Sequence, residues 1–171
     1  MKTVTEQLSQ YKSVHLNKKN VATHFVGIPL ILWSIALFLS SFNIPFWGVE
    51  INVLGPVIAC TYVYYLMLHP KLAFFAILFL SPLFYHANSY SDHPYLYGIA
   101  IGVFVLGWAI QFLGHHYEKA KPAFVDDIAQ LMIGPFFLIA EVCFALRMFP
   151  DLDKRVDDLA QEKRRALVAN Q

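Results

Sequence analysis

From His24 to Leu113, ninety consecutive residues, the chain carries only three full charges: Glu50, Lys71 and Asp92. A soluble body of 171 residues cannot conceal such a stretch, because a small fold keeps much of its surface in water and needs polar cover there. The two flanks are the reverse, dense in Lys, Arg, Asp and Glu over residues 1–23 and 151–171. Apolar residues reach 57% and charged ones 15%, against roughly 45–50% and 25% in ordinary globular chains. The chain therefore reads as an all-α, polytopic membrane helical bundle forming one integral domain over residues 1–171. A cytoplasmic lead of residues 1–23 precedes membrane helices in 24–149, and residues 150–171 form an amphipathic tail. The mixed charge of the lead is unlike the start of a signal peptide, so the first apolar run is expected to stay as an anchor.

Apolar length set against a bilayer core of about 30 Å, some 20 helical residues, gives four to five membrane segments. They are Val21–Phe42, Ile51–Leu68, Pro70–Tyr85, Pro94–Leu113 and Ile128–Phe149. In lipid each must be helical to satisfy its own backbone. Asn43-Ile44-Pro45 stops the first, His69-Pro70 turns the second into the third, and Ser91-Asp92-His93-Pro94 opens the fourth. Asp127 and Gln130 have the spacing of a capping box for the fifth. Lys2, Lys12, Lys18 and Lys19 in the lead, and Lys71, Lys119 and Lys121 after the second and fourth spans, put the N-terminus in the cytoplasm. The basic tail also belongs inside, which five crossings forbid. The fifth segment, interrupted by Pro135 and Glu141, is the one expected not to cross. The lead and the loop from Gly114 to Asp127 then share one face.

Seven histidines in so apolar a chain invite a metal reading, but they differ. His69 and His93 precede prolines at span boundaries, and His86 ends a span, so capping and packing account for them. His15, His24, His115 and His116 form a better group. Tyr11 and His15 are four apart, as are Asn20 and His24, so each pair can share a helix face. His15 and His24 are nine apart, half a circle out of phase at 100° per residue. A break near residues 17–20, with Asn20 as a natural N-cap, would let a short amphipathic helix fold back on the first span, with a kink added by Gly27 and Pro29. His115 and Glu118 have the i, i+3 spacing by which metal-binding bundles place His and Glu on one face. Two or three His with one carboxylate approach the ligand set of non-haem iron oxygenases. The blander reading makes His115-His116 a wet interface marker and pairs Glu118 with Lys121.

Other features lean structural. Gly98-x3-Gly102 fits a close helix approach, and Glu141 is an intramembrane carboxylate about 20 Å along its helix. The tail places Leu152, Val156, Leu159 and Leu167 on one stripe with Asp151 as cap, as a surface helix would. Cys60 and Cys143 lie in apolar runs and read as core residues. A net charge of +1 with no basic stripe argues against nucleic acid as partner.

Tyr11-x3-His15-x4-Asn20-x3-His24-x2-Gly27-x-Pro29, together with Gln111-x2-Gly114-His115, Glu118 and Pro122-Ala123, resembles the signature of small membrane proteins related to the fungal 2-hydroxy-fatty-acid dioxygenase. The likeness runs from about Tyr11 to Phe149. It implies a membrane-embedded enzyme that uses Fe(2+) and O2 to shorten a 2-hydroxy fatty acid by one carbon, an α-oxidation. It carries an iron role onto His15, His24 and His115, and makes Glu118 a catalytic carboxylate; His116, outside the signature, is a further candidate ligand beside His115. Tyr11, Asn20 and Gln111 are then expected on the substrate side, and Lys119 or Lys121 as receivers of its carboxylate. The active site would face the cytoplasm, from an inner membrane in bacteria or the endoplasmic reticulum in eukaryotes. Two other readings stay open: another His-metal lipid oxidase or hydroxylase, although H-x3-H and H-x2-H-H boxes are absent, and a non-enzymatic membrane scaffold or lipid-binding protein.

Overall fold

A computed structural model describes residues 2–118, 121, 123, 127 and 129–169. Its described elements run α1 (Val4–Lys12), α2 (Lys18–Ser40), β1 (Asn43–Phe46), β2 (Val49–Asn52), α3 (Leu54–Leu68), α4 (Pro70–Asn88), α5 (Leu96–Glu118), α6 (Gln130–Ala145) and α7 (Pro150–Ala169). The fold is all-helical apart from one small hairpin, and it divides into two compact units. One comprises residues 1–25 and 112–171; the other is Val26–Gln111.

The first unit is built from both ends of the chain. α1 starts with a full capping box: the Thr3 hydroxyl accepts from the Glu6 N–H, and the Glu6 carboxylate accepts from the Thr3 N–H. The helix then packs against both α6 and α7. α6 is the core of this unit, with Ile133, Phe136, Phe137 and Ala140 fully buried. A helix wrapped in protein on so many sides leaves little surface for lipid. At 16 residues it is also shorter than a bilayer crossing asks. The expected box at its start does not form. The Asp127 carboxylate takes the Ala129 N–H, while the buried Gln130 side chain donates to Gln7 of α1 at 2.8 Å. Glu141, expected as an intramembrane carboxylate, is instead ion-paired at 2.8 Å to Lys12, which also meets Asp157 of α7 at 2.6 Å. α7 begins at Pro150, so Asp151 sits inside its first turn rather than capping it. Its buried stripe is Leu152, Val156 and Ala160, turned onto α1, whereas Leu167 is exposed.

The second unit holds most of the apolar length. α2, α4 and α5 are long and apolar enough to cross a membrane, and no more than 33% of any of those apolar stretches is buried. Such exteriors need a lipid environment. α2 continues through Pro29 to Ser40. Beyond it, where the sequence indicated only a stop, β1 and β2 pair with Phe46 opposite Val49 around a two-residue turn at Trp47-Gly48. Both turn residues have positive φ, 51° and 82°, as the tightest hairpins require. Asn52 ties this hairpin to the helices: its amide donates to the Ser40 carbonyl, and its Oδ1 accepts from the Leu54 N–H. His69 alone separates α3 from α4 and caps the latter, its Nδ1 accepting from the Leu72 N–H at 3.1 Å. α4 is longer than its apolar core suggested, reaching Asn88.

Within this unit α2 and α5 approach closely at Gly27 and Gly107. A Cβ on Gly27 would lie 2.9 Å from the Gly107 carbonyl, and one on Gly107 would lie 2.7 Å from Ile31. Gly98 and Gly102, the expected contact pair, have nothing within 4 Å among the described residues. α5 runs to Glu118 rather than ending near Leu113, which puts His115, His116 and Glu118 on the helix itself.

Candidate metal centre

Residues 13–17 link α1 to α2, and the break lies slightly earlier than the sequence indicated. Asn17, not Asn20, caps α2, its Oδ1 accepting from the Lys19 N–H at 2.9 Å. Asn20 cannot cap because its side chain points inward, donating to the Val14 carbonyl and the Glu118 carboxylate. His15 sits in the linker, His24 in the second turn of α2 and His115 in the last turn of α5. One ring nitrogen from each lies within 4.8 Å of the others. The ring centroids are 4.5 Å apart for His15 and His24, 4.9 Å for His15 and His115, and 5.1 Å for His24 and His115. His15 and His24 are buried, and the Nδ1 atom of His115 is shielded from solvent.

The hydrogen bonds fix the chemistry of two rings. His15 Nδ1 bonds the Tyr11 carbonyl at 2.6 Å, and His24 Nδ1 bonds the Asn20 carbonyl at 2.8 Å. A carbonyl only accepts, so each Nδ1 carries the hydrogen and each Nε2 keeps a lone pair. Those two Nε2 atoms lie 3.0 Å apart. Lone pairs that close repel unless a positive charge joins them, and the choices are a proton or a metal cation. Burial pushes the His15 imidazole well below its usual pKa and the neighbouring His24 and His115 act the same way, against a partial opposition from the Tyr11 carbonyl. The proton is thus disfavoured. A cation suits the pair: imidazoles tethered at the far nitrogen by a carbonyl are the common form of metal-ligating histidine. Two ligand nitrogens about 2.1 Å from one ion and at right angles would be about 3.0 Å apart. The donor set fits a divalent transition metal.

The surroundings hold the rings in place. Tyr11 stacks on His15 with centroids 4.1 Å apart and planes 2° from parallel, and Phe137 of α6 backs Tyr11 at 4.9 Å. Burial pushes the Tyr11 phenol above its ordinary pKa, so it stays neutral. Gly114 marks where α5 meets the first turns of α2. A Cβ there would lie 2.1 Å from the Thr23 hydroxyl and 2.5 Å from Asn20 Oδ1.

Glu118 stands beside this trio. Its buried carboxylate accepts from the Asn17 N–H at 2.8 Å and from the Asn20 amide at 3.2 Å, and faces Arg164 of α7 at 3.6 Å. Its partner is thus Arg164 and not the Lys121 of the blander reading. The Asn17 amide reciprocates, donating to the Tyr117 carbonyl at 3.0 Å.

The other candidates fall elsewhere. His116 is exposed against Tyr117, outside the trio. Gln111 lies in the second unit, buried, its side chain over Gly27 and its Oε1 without a hydrogen-bond partner among the described residues. Lys121 is exposed, and Lys119 and Pro122 lie outside the described residues. Sequence reasoning missed Asn17, Lys12 and Arg164. Asn17 was findable, since it precedes two lysines at a helix start; Arg164 was not, because nothing near it in sequence points to Glu118.

A family model described as "2-hydroxy-palmitic acid dioxygenase Mpo1-like" matches residues 1–146. The 2-hydroxy-palmitic acid dioxygenase MPO1 of Saccharomyces cerevisiae is 30% identical over 165 residues, covering 94% of this chain and 91% of that protein. No solved structure matches.

Proposed function

Because the chain belongs to the 2-hydroxy-palmitic acid dioxygenase Mpo1-like family, we propose that it is an Fe(II)-dependent dioxygenase that shortens 2-hydroxy fatty acids by one carbon at the cytoplasmic face of a membrane. The observation that carries this reading is the pair of Nε2 lone pairs of His15 and His24, 3.0 Å apart and grouped with His115. Three imidazoles suit iron, zinc and copper alike; the choice of iron follows from the family. His15, His24 and His115 would hold the ion, which when bound supplies O2 activation and Lewis-acid binding of the substrate oxygens.

The protein's own residues do the rest. The Tyr11 and Asn20 carbonyls keep His15 and His24 in the Nδ1–H form, with Nε2 available. Tyr11 and Phe137 wall the His15 ring with apolar faces and exclude water from it. His24 lies near the polar start of α2 and His115 near the polar end of α5, and the remaining turns of both helices are apolar. A 2-hydroxy fatty acid has the same gradient, with carboxylate and hydroxyl at one end and a hydrocarbon tail behind them. Lys121, exposed just after α5, is a described cation available to an approaching carboxylate.

The test is direct. Detergent-purified protein loaded anaerobically with Fe(II), then given 2-hydroxypalmitate and O2, should release the acid one carbon shorter. It should lose both iron and activity on His15→Ala or His115→Ala while staying folded. Hydroxylated or desaturated product of unchanged length would point to a different lipid oxidase. Folded protein that takes up no iron and is indifferent to these substitutions would leave a scaffold.

A further inference from the structure

We propose that Arg164 is a positioning residue for the histidine site, acting through Glu118; the inference rests on the metal reading above. α2 and α5 each contribute one histidine, so the site exists only while the start of α2 and the end of α5 stay in register. The Glu118 carboxylate provides that register. One oxygen takes both the Asn17 N–H and the Asn20 amide at the start of α2, and Asn20 in turn supplies the carbonyl that orients His24. Glu118 is the final residue of α5, three positions after His115.

A carboxylate with 2% side-chain exposure needs a countercharge. Arg164 provides it from α7: Nη2 lies 3.6 Å from Glu118 Oε1 and donates to the Glu118 carbonyl at 3.3 Å, covering a free carbonyl at the helix end. One guanidinium thus neutralises the carboxylate and caps α5. Arg164 lies beyond residue 146, where the family match ends. The C-terminal helix, already fixed to α1 by its buried stripe and by Asp157, brings a single cation to the site's supporting layer.

Outer-layer partners of metal ligands typically change metal affinity by 10–100-fold when removed. Full-length protein titrated with Co(II), which accepts imidazole ligands and absorbs in the visible, reads this directly. Arg164→Leu should weaken Co(II) binding by about 10–100-fold and alter the visible bands. Arg164→Lys, which keeps the charge without the fork, should recover part of both. In a Glu118→Gln background, where no charge awaits neutralising, Arg164→Leu should have little further effect, because the two residues act as one unit. Wild-type affinity and bands in Arg164→Leu would overturn the proposal, as would an undiminished effect in the Glu118→Gln background. If Arg164→Leu does not fold, Arg164→Lys and Glu118→Gln carry the test, and unchanged affinity in both overturns it. A wild type that takes up no Co(II) would sink the metal reading and this one with it. A wild type that binds, with variants that bind equally, sinks the Arg164 role alone.

Discussion

The Nε2 atoms of His15 and His24 stand 3.0 Å apart, and the other nitrogen of each ring is committed to a main-chain carbonyl. Without a cation that pair is a local source of repulsion in the folded state, so an ion that relieves it should bind there and raise stability by mass action. Free metal at 100 times its dissociation constant adds about 2.7 kcal/mol by linkage alone. Thermal unfolding with and without Fe(II) under anaerobic conditions should show an upward shift in Tm that His24→Gln abolishes. An Fe(II)-independent Tm in wild type would remove the physical basis for the site.

Glycines on one helix should differ sharply in their tolerance. At Gly114 a methyl group would run into the Thr23 hydroxyl at 2.1 Å and Asn20 Oδ1 at 2.5 Å, whereas at Gly98 it would meet nothing within 4 Å. Gly114→Ala should cost about 1–3 kcal/mol from overpacking and lower iron occupancy by displacing His115. Gly98→Ala should be silent or slightly stabilising, as alanine favours helix. Unfolding midpoints and iron content of the two variants decide it, and equal behaviour would mean that α2 and α5 are not in contact at Gly114.

Lys12 gives a pH signature. Burial alone would lower its pKa, but hydrogen bonds to Asp157 and Glu141 outweigh it and leave the value above the ordinary 10.5. A raised lysine contributes stability fully below its unfolded value and loses it as pH rises through the folded one. Lys12→Met should therefore cost about 1–3 kcal/mol at neutral pH. As pH rises from neutral, the gap between variant and wild type should close only above pH 10.5. Unfolding curves collected from neutral to strongly alkaline pH would show it, and a gap that closes below 10.5 or stays fully open at the alkaline end would contradict the assignment.

Sidedness follows from α2, which at 23 residues is long enough to cross. With the exposed Cys60 replaced by Ser and Cys143 left in its buried place, a cysteine introduced at Lys18 or at Lys121 should react with an impermeant reagent from one side of sealed vesicles, and one at Trp47 from the other. Labelling of Lys18 and Trp47 positions from the same side would show that α2 does not span.

Much of this was legible in the chain because bilayer-length helices announce themselves by missing charge, and because His15, His24 and His115 sit in polar segments where a spaced histidine stands out. The exceptions have physical reasons. The hairpin at Trp47 is written in four-residue strands, too short to show an alternating pattern between two greasy helices. α6 resembles a membrane span because a helix buried in protein and one buried in lipid both select apolar residues; its short length and its Gln130–Gln7 bond tell them apart only once α1 is placed against it. α7 has the amphipathic stripe of a lipid-surface helix, and the same stripe serves equally to pack on α1. Arg164 and Glu118 are 46 residues apart with no periodicity joining them, so only coordinates bring them together.

The first unit is assembled from residues 1–25 and 112–171, and this sets an order of events during synthesis. His24 leaves the ribosome about ninety residues before His115, a delay of roughly 5–20 s at ordinary elongation rates. During that interval two imidazoles wait without their third, while the intervening helices are threaded into lipid. A cation that needs all three rings is therefore held only once His115 has been made.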